Sequence, residues 1–515
     1  MKRITNLMVL LIICACWSCN VEKKNEKPNI LFIMSDDHTS QAWGIYGGIL
    51  KDYVKNKNIS RLADEGAVLN NAFCTNSICT PSRATILSGQ YSHKNGVYTL
   101  SEAYEPDSSN IAKVLKANGY QTAIIGKWHL KKEPTGFDHY MVLPGQGRYH
   151  NPILKTKENW KDHYEGGKEY KGFSSDVITD FTIDWLKERN QKKPFMMMCH
   201  FKATHEPFDF PDRLADLYKG MEIPEPSSLY DFGPETNGRG FKGQSMDNLG
   251  IRYMKASSGP WWTDYPGLPF STDGLDSIQA RKKVYQKFIK DFMRCGAAID
   301  ENIGRLLDYL EESGLAENTV VVYTADQGYF LGEHGFFDKR LIYEESLRMP
   351  FVIRYPKEIK GGIRIDDMIL NIDFPALFAD YAGIDKPAGM QGRSFRENLK
   401  GNTPKDWRKS MYYRYWLHSQ DRPGHFGIRN ERYKLAFFYG QPLGKPGTEA
   451  TTTEPDWEFY DLQKDPKEGH NAYSDAQYAD IIKEMKVELL KQKALVDDSD
   501  EAYPVMQEIF AKYWN

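Results

Sequence analysis

Net charge is nearly absent from this chain. Its 515 residues include 67 lysines and arginines and 70 aspartates and glutamates, which gives a formal net charge of -3. Proteins that bind nucleic acid through their overall field are usually basic, so no nucleic-acid partner is expected. Any chemistry on anions must therefore come from cations gathered at one place.

Cysteine is scarce as well. Of the seven cysteines, four lie beyond the N-terminal segment, at Cys74, Cys79, Cys199 and Cys295. They show no CxxC or other metal-type spacing. If Cys79 is consumed by a modification, an odd number remains, so a complete disulfide framework is not expected.

Long apolar runs are missing apart from one at the N terminus. A basic start precedes the apolar stretch 7–13, and small residues and cysteines follow, in the order of an export signal. The stretch is too short to span a bilayer, and the polar residues 20–28 indicate a linker. Residues 1–19 resemble a bacterial lipoprotein signal, with Cys19 preferred over Cys16 as the lipidated residue. We therefore expect an exported lipoprotein in the periplasm or at the cell surface, held to the membrane only by its lipid anchor; a buried first strand is the alternative.

The rest of the chain divides into two patterns. From residue 29 to 404, short apolar runs alternate with helical periods, which predicts an α/β domain with parallel strands joined by crossover helices. Its predicted strands are 30–34, 122–125, 195–199, 320–323 and 351–353, and its predicted helices are 58–65, 111–118, 176–188 and 277–312. Residues 405–515 show shorter alternating segments and a final helical pattern, which predicts a smaller α+β domain with an antiparallel sheet. Its predicted segments are 409–415, 426–438, 457–462 and 476–492.

One long segment interrupts the first pattern. Residues 207–271 are rich in proline, glycine and aromatics and show no clear period. Loops of this length in a compact domain are usually functional. We therefore interpret the region near 207–275 as an insertion that faces the substrate.

Carboxylates follow two of the predicted strands. Asp36 and Asp37 come just after strand 30–34, and Asp326 and Gln327 follow a later one. The carboxyl ends of parallel strands form the ligand crevice of an open sheet, so the two pairs could converge there. Three carboxylates and an amide oxygen suit a hard cation, calcium before magnesium, and no soft ligand favours zinc. One such pair alone is more often a helix cap or a solvated turn, but two favour a metal site.

Residues 79–90, CTPSRATILSGQ, carry the most specific pattern in the chain. They resemble the signature of the sulfatase family, which is cysteine or serine, any residue, proline, serine and arginine, followed by a helix that ends in a small residue and glycine. Only Gln90 departs, because arginine or lysine is common there. The positions in register are Cys79, Pro81, Ser82, Arg83, Thr85 and Gly89.

The resemblance implies an alkaline-phosphatase-like fold, with a mixed, mostly parallel sheet flanked by helices and a smaller C-terminal antiparallel-sheet domain. It also implies that a separate maturation enzyme oxidises Cys79 to formylglycine, whose hydrated form attacks sulfur while bound to one calcium ion. Arg83, one helical turn later, would orient that group. Gln327 stands where many members have asparagine or histidine, although a longer amide can still offer its oxygen. The implied metal ligands are the residue at position 79, Asp36, Asp37, Asp326 and Gln327.

Basic residues elsewhere match the family's remaining catalytic positions. Lys127, in GKWHL, would contact sulfate, and His129 would take the proton whose loss expels sulfate and regenerates the aldehyde. His205 would be the general acid for the leaving group, although His200 could compete for that role. Lys339 would complete the positive clamp on the sulfate oxygens.

Local sequence resembles that of bacterial sulfatases that act on sulfated polysaccharides. The implied activity is that of a sulfuric ester hydrolase on sugars of, for example, ulvan, carrageenan, glycosaminoglycans or mucin glycans. His425 and Arg429 are candidates for substrate contacts from the C-terminal domain. A phosphatase or phosphodiesterase on the same scaffold and an inactive glycan-binding lipoprotein are the alternatives. Aromatic residues of the insertion could stack on sugar rings or simply pack the loop; they are Trp261, Trp262, Tyr265 and Phe270.

Overall fold

The structure is a computed structural model that describes residues 27–230, 242–259 and 264–514. The predicted signal segment 1–19, with Cys16 and Cys19, lies outside the described residues. So do most of the predicted linker 20–28 and both Trp261 and Trp262. Within the described part of the chain, no helix is long and apolar enough to cross a membrane.

The strands are β1 Asn29–Asp36, β2 Ala67–Leu69, β3 Ala72–Phe73, β4 Gln121–Lys127, β5 His139–Leu143, β6 Ile153–Leu154, β7 Lys168–Glu169, β8 Phe195–Thr204, β9 Thr319–Ala325, β10 Phe330–Leu331, β11 Phe337–Asp338, β12 Arg348–Met349, β13 Phe351–Arg354, β14 Ile363–Ile365, β15 Ile369–Leu370, β16 Ser410–Tyr415, β17 His425–Asn430, β18 Tyr433–Phe438 and β19 Asp456–Asp461. The helices are α1 Lys57–Asp64, α2 Cys79–Ser88, α3 Ser92–Asn95, α4 Ile111–Ala117, α5 Ser174–Glu188, α6 Met246–Ser258, α7 Ser277–Glu312, α8 Glu344–Leu347, α9 Phe374–Tyr381, α10 Arg396–Leu399, α11 Ala479–Leu495 and α12 Pro504–Tyr513.

An eight-stranded sheet forms the centre of the described residues, in the order β14-β2-β13-β9-β1-β8-β4-β5. The strands β9, β1, β8, β4 and β5 are mutually parallel, whereas β13 is antiparallel to β9 and β2 is antiparallel to β13. The expected mixed, mostly parallel sheet is therefore confirmed. Every residue of β1 is buried, because this strand lies in the middle of a sheet that is covered on both faces.

Alternate residues of β1 belong to two different apolar cores. Ile30 and Phe32 pack on the face covered by α2, α4 and α9. Leu31 and Ile33 pack on the opposite face, against α1, α5 and α7. The strand has to be apolar on both sides, which explains its continuous hydrophobic run.

The long helix α7 begins at the residue where the sequence predicted it. Asp276 accepts a hydrogen bond from the backbone N–H of Gln279 (2.8 Å), and the Gln279 side chain accepts one from the Asp276 N–H (3.3 Å). This capping box satisfies amide groups that a helix start would otherwise leave unpaired. The helix then runs for 36 residues beside the insertion.

The insertion contains a helix, α6, that the sequence pattern did not reveal. Its aromatic residues pack together with α7: Tyr265 is 3% exposed, Phe270 is 9% exposed, and both contact the buried ring of Tyr253. The prediction that Tyr265 and Phe270 stack on sugar rings is therefore wrong. Their large apolar area is used to hold the insertion on α7, which was the alternative interpretation.

The C-terminal part forms a four-stranded antiparallel sheet, β16-β17-β18-β19, with α11 packed against it. This confirms the expected antiparallel sheet, although segment 426–438 divides into β17 and β18 across a tight turn. Residues of this sheet and of the central sheet share one apolar core. The domain boundary at residue 405 stays a prediction.

Gly126, the residue before the end of β4, allows two strands to approach closely next to the predicted site. Its φ is 110°, and a Cβ atom there would lie 1.9 Å from the carbonyl oxygen of His200 on β8. Any side chain would therefore push β4 away from β8 and displace Lys127. Glycine is required at this position for both conformation and space.

We predict that Gly126→Ala destabilises the protein by about 2–4 kcal/mol, because backbone strain and overlap with β8 add together. The matched control is Gly119→Ala, at an exposed glycine with φ of 90° and no atom within 4 Å of an added Cβ. It should cost only about 1 kcal/mol from backbone strain. Chemical denaturation of the two variants measures the difference, and equal losses would contradict this account of Gly126.

Candidate active site

The carboxyl ends of β1, β4, β8 and β9 meet at one edge of the central sheet. Asp36 is the last residue of β1 and Asp37 follows it, while Asp326 comes directly after β9. Lys127 ends β4, and His205 follows β8. One oxygen from each of the three aspartates lies within 4.8 Å of the others, and all three side chains are buried. The sheet topology thus brings together residues that are up to 290 positions apart in sequence.

Cys79 is the first residue of α2, a helix in which every residue is buried. Its Sγ lies 3.9 Å from Asp37 Oδ1 and 4.0 Å from Gln327 Nε2. The positive end of the helix dipole therefore points into the site, where it favours a bound anion. One turn later, Arg83 donates from Nε to Asp326 Oδ2 (2.9 Å) and from Nη1 to the carbonyl of Lys127 (2.9 Å).

Two buried lysines each face one of the aspartates. Lys127 Nζ donates to Asp36, and it lies 2.5 Å from Gln146 Oε1. Lys339 Nζ donates to both oxygens of Asp37, at 2.7 and 2.6 Å. Although burial acts to lower it, attraction to Asp37 holds the pKa of Lys339 well above its ordinary value. One lysine is thus held on Asp36 and the other on Asp37.

Two histidines lie close to this centre. His205 Nδ1 donates to the carbonyl of Glu206 (2.8 Å), which leaves Nε2 facing Asp37 Oδ2 at 3.8 Å. His129 Nδ1 lies 3.4 Å from the hydroxyl of Thr80, next to Cys79. Burial first, and then repulsion from Lys127, hold the pKa of both imidazoles well below the ordinary value. Both are neutral before substrate arrives.

His200 is placed away from this centre. Its Nδ1 donates to the carbonyl of Lys127 at the end of β4 (3.2 Å), and its ring packs edge-on against Phe32. It does not line the cavity that contains Cys79. Its position favours a structural role.

The three aspartates differ in their protonation. Burial and repulsion from Asp36 raise the pKa of Asp326 to about 7. Burial raises the pKa of Asp37 to about 6, partly opposed by Lys339. For Asp36, burial also acts upward, but Lys127 and the other nearby cations hold its pKa well below the ordinary value. Without a metal ion, Asp37 and Asp326 therefore keep protons to a higher pH than ordinary carboxyl groups do.

A hard divalent cation fits this cluster. Asp36 Oδ1 and Gln327 Oε1 are buried, and neither accepts a hydrogen bond from the residues that the structure describes. The amide nitrogen of Gln327 donates to Asp37, and a half-turn of the amide would present its oxygen instead. The donor set of carboxylate and amide oxygens is the one that calcium and magnesium prefer. A cation here would also lower the pKa values of Asp37 and Asp326, which burial and repulsion from Asp36 raise.

Cys79 lines a cavity of about 260 Å³ together with Asp37, His205 and Lys339. Charged residues that the sequence did not single out complete its wall. Asp338 pairs with Arg340 (2.8 Å) and Arg422 (3.3 Å). Asp338 and Arg340 are adjacent to the predicted Lys339 in sequence, and that adjacency was the signal that could have identified them. Glu206 directly follows His205, whereas no such signal was available for Gln146 and Arg422, which come from loops, or for Arg252, which lies on α6.

The two residues proposed for substrate contacts from the C-terminal domain lie elsewhere. Arg429 pairs with Glu344 (3.1 Å) beside a different cavity. His425 is buried against Phe438 and contacts the rings of Tyr413 and Tyr415, and both tyrosine hydroxyls hydrogen-bond to Arg340 at the cavity wall. Direct substrate contact by His425 and Arg429 is therefore not supported, because neither lines the cavity. Arg422 is the residue of this domain that does.

Comparisons with known proteins agree with this arrangement. A family model described as Sulfatase matches residues 28–384, and one described as N-sulphoglucosamine sulphohydrolase, C-terminal, matches residues 332–495. An N-acetylglucosamine-6-O-sulfatase of Bacteroides thetaiotaomicron is 38% identical over 98% of this chain and 93% of its own length. An ulvan-active sulfatase of Formosa agariphila is 26% identical over 93% of this chain and 84% of its own. A solved structure of a complex with its substrate, D-glucosamine-2-N,6-O-disulfate, is 36% identical with a TM-score of 0.83, over 93% of this chain and 100% of that one.

We predict that calcium stabilises the protein more at high pH than at low pH. The pKa values of Asp37 and Asp326 are raised to about 6 and 7, so between the unfolded value near 4 and those values the folded state binds the extra protons. The metal-free protein therefore loses stability as pH rises through that range, and calcium, which displaces those protons, restores more of it at about pH 8 than at about pH 5.

Melting temperatures of metal-free and calcium-loaded protein at the two pH values measure this effect. Asp326→Asn is the control, because it removes the group with the higher of these two raised pKa values and should shrink the difference. Equal stabilisation by calcium at both pH values would show that these carboxylates do not bind the ion.

Proposed function

Since this chain belongs to the sulfatase family and is a sulfuric ester hydrolase, we propose that it removes the 6-O-sulfate from glucosamine residues of a sulfated glycan. The observation that carries the proposal is Cys79 at the positive end of a buried helix, facing three carboxylates and two lysines. The names of the relatives support the sugar: a 6-O-sulfatase of N-acetylglucosamine at 38% identity and a complex with a disulfated glucosamine. The family resemblance found at residues 79–90 is confirmed by the same matches.

The nucleophile is proposed to be made from Cys79 by a separate maturation enzyme. The formylglycine so formed supplies, once hydrated, an oxygen nucleophile for sulfur. Unmodified, the buried thiol is a poor nucleophile because burial raises its pKa far above the ordinary value. A modification is therefore the way in which this position gains reactivity at neutral pH.

One calcium ion is proposed as the metal, held by Asp36, Asp37, Asp326 and Gln327 with the modified residue 79. When bound, it supplies positive charge beside the nucleophile. Arg83 acts as a positioning residue, because it joins Asp326 to the backbone of Lys127 at 2.9 Å each. Arg83 thereby fixes the position of the carboxylate cluster relative to Lys127.

Lys127 and Lys339 are proposed to bind the sulfate oxygens. Each is paired with a different aspartate, Lys127 with Asp36 and Lys339 with Asp37, so their ammonium groups are already ordered. Preorganised charge of this kind stabilises the negative oxygens that develop in the transition state. His129, neutral and next to Thr80, is in the form that accepts a proton.

His205 is proposed to protonate the departing sugar oxygen. Its Nδ1 is held by the Glu206 carbonyl, so a proton delivered to substrate must come from Nε2, which faces the cavity. The negative charge of a sulfate ester beside the ring raises the pKa of His205 and favours the imidazolium. The acid is thus formed when substrate binds.

Sugar recognition is proposed for the charged wall of the cavity. Asp338 is held between Arg340 and Arg422, and such a group offers both an acceptor and donors to neighbouring hydroxyls. The nearby Arg252 is paired with Glu206 (2.9 Å). These contacts can orient the ring while the lysines hold its sulfate.

We further propose that the protein is exported and lipid-anchored, through Cys19 or, less favoured, Cys16. This rests on the order of basic, apolar and small residues in 1–19. A periplasmic or cell-surface position suits an enzyme for polymeric glycans. The anchor would be the protein's sole contact with the membrane.

We predict that Cys79→Ala abolishes sulfate release, a loss of at least about 10⁴-fold in kcat, and leaves the fold intact, because it removes a nucleophile and little volume. N-acetylglucosamine 6-sulfate is the substrate and N-acetylglucosamine 6-phosphate its matched control, since a phosphatase on this scaffold would prefer the phosphate. Mass spectrometry of the peptide that contains residue 79 should show the aldehyde. A variant that still turns over, or active protein that keeps the thiol, would refute the assignment.

We predict that His205→Ala affects substrates according to their leaving group. Loss of a general acid should lower kcat by about 10²–10⁴-fold for the sugar sulfate, whose leaving group needs a proton. The effect should be much smaller for 4-nitrophenyl sulfate, whose phenolate leaves unprotonated. A loss of the same size for both substrates would assign His205 to sulfate binding or to structure instead.

A further inference from the structure

A larger cavity adjoins the catalytic one. Its volume is about 490 Å³, and it shares Gln146, His205 and Glu206 with the cavity that contains Cys79. Tyr149 and Pro207 give it an apolar side. It is therefore large enough for a further sugar ring and is placed where the neighbour of a bound residue would extend.

Lys202, on β8, lines this second cavity and is only 2% exposed. Its ammonium lies 4.7 Å from the centre of the Tyr149 ring. Among the described residues, no carboxylate or carbonyl lies within hydrogen-bonding distance of Lys202 Nζ. A buried ammonium without a partner is unusual, because desolvation of an unpaired charge is costly.

The other charged groups of the cavity wall are already engaged or exposed to solvent. Asp209 faces His150 at 3.2 Å, and Glu206 accepts from Arg252. Arg148 pairs with Glu169 (2.8 Å) at the surface. Asp264 is exposed at the rim, where water screens it. Lys202 is thus the cation of this cavity that is left for a ligand.

Burial, and then repulsion from Lys127, lower the pKa of Lys202 to about 8. An anion beside it would restore the charged form and offset the desolvation. Nothing in the proposed chemistry uses this residue, which lines the second cavity and not the one that contains Cys79. The burial of the Lys202 ammonium is explained if a bound ligand supplies an anionic partner for it.

We propose that the second cavity is a subsite for the sugar next to the one that carries the scissile ester, and that Lys202 binds an anionic group, carboxylate or sulfate, on that sugar. This rests on the proposed function. The enzyme would thereby favour sulfated glycans whose glucosamine alternates with an acidic sugar over those in which it alternates with a neutral one. Pro207, which is partly exposed, would pack against the ring, as apolar groups do in sugar sites.

The test compares disaccharides that differ in one group. In one probe, C1 of N-acetylglucosamine 6-sulfate is linked to a uronic acid; in another, the link is through C4 of the glucosamine. Each probe is paired with a counterpart in which the carboxylate of the uronic acid is reduced to an alcohol. A third form carries a 2-O-sulfate on the uronic acid, which distinguishes sulfate from carboxylate as the preferred anion. The enzymes are the wild type, Lys202→Met, which keeps the length without the charge, and Lys202→Arg, which keeps the charge.

For the wild type, kcat/KM should be about 10- to 100-fold higher for at least one acidic disaccharide than for its reduced counterpart, as for a buried charge pair. Lys202→Met should bring that ratio to about 2-fold or less, and Lys202→Arg should retain most of it. A ratio near one in the wild type, or a ratio that Lys202→Met leaves unchanged, would overturn the proposal. An equal loss of kcat/KM for both members of a pair would also overturn it, because Lys202 would then act through its electrostatic effect on His205 rather than by binding the anion.

A second measurement does not need turnover. Calorimetric binding of the same pairs to Cys79→Ala, with Lys202 intact or changed to Met, should show the same preference in Kd. If the wild type hydrolyses no 6-O-sulfated glucosamine at all, the proposed function fails. If it does so but neither kinetics nor binding depends on the acidic neighbour through Lys202, only the subsite is refuted.

Discussion

Three buried carboxylates held at one edge of a sheet are the constraint on which this site depends. Asp36, Asp37 and Asp326 repel one another and are cut off from water, so they must be neutralised by protons, by cations of the protein or by a metal ion. Lys127 and Lys339 provide part of that neutralisation, and both are proposed to bind sulfate. On that proposal, the groups that make the site stable also recognise the substrate.

The same constraint explains why the surrounding frame is so rigid. The helix that begins at Cys79 is buried along its whole length, and Arg83 joins it to β4 and β9. Gly126 lets β4 lie against β8 closely enough for this network to form. A shift of any one strand would separate charges that are tolerated only as a set. Rigid elements thus hold the reactive centre, and the loops around it are left to vary with the substrate.

Much of the fold and the centre of the site followed from local sequence. The apolar run of β1 and the helical pattern of 277–312 are local signals, and they predicted β1 and α7 correctly. The motif at 79–90 identified the family because its residues are adjacent. In contrast, α6 was missed, since its apolar face packs on α7 and shows no strong period within a loop rich in proline and glycine.

The sequence by itself determined the chemistry, because carboxylates after strands and a short contiguous motif are read without knowledge of distant contacts. The tertiary structure alone decided what surrounds that chemistry. Arg422 is at the cavity wall and Arg429 is not, although both lie in the same short stretch, because Arg422 precedes β17 and pairs with Asp338 whereas Arg429 lies on β17 and pairs with Glu344. Likewise, the sequence does not show that Lys202 is buried without a hydrogen-bond partner, because that depends on the residues that surround it in the second cavity. Specificity depends on side chains from separate loops, whose meeting no local pattern records.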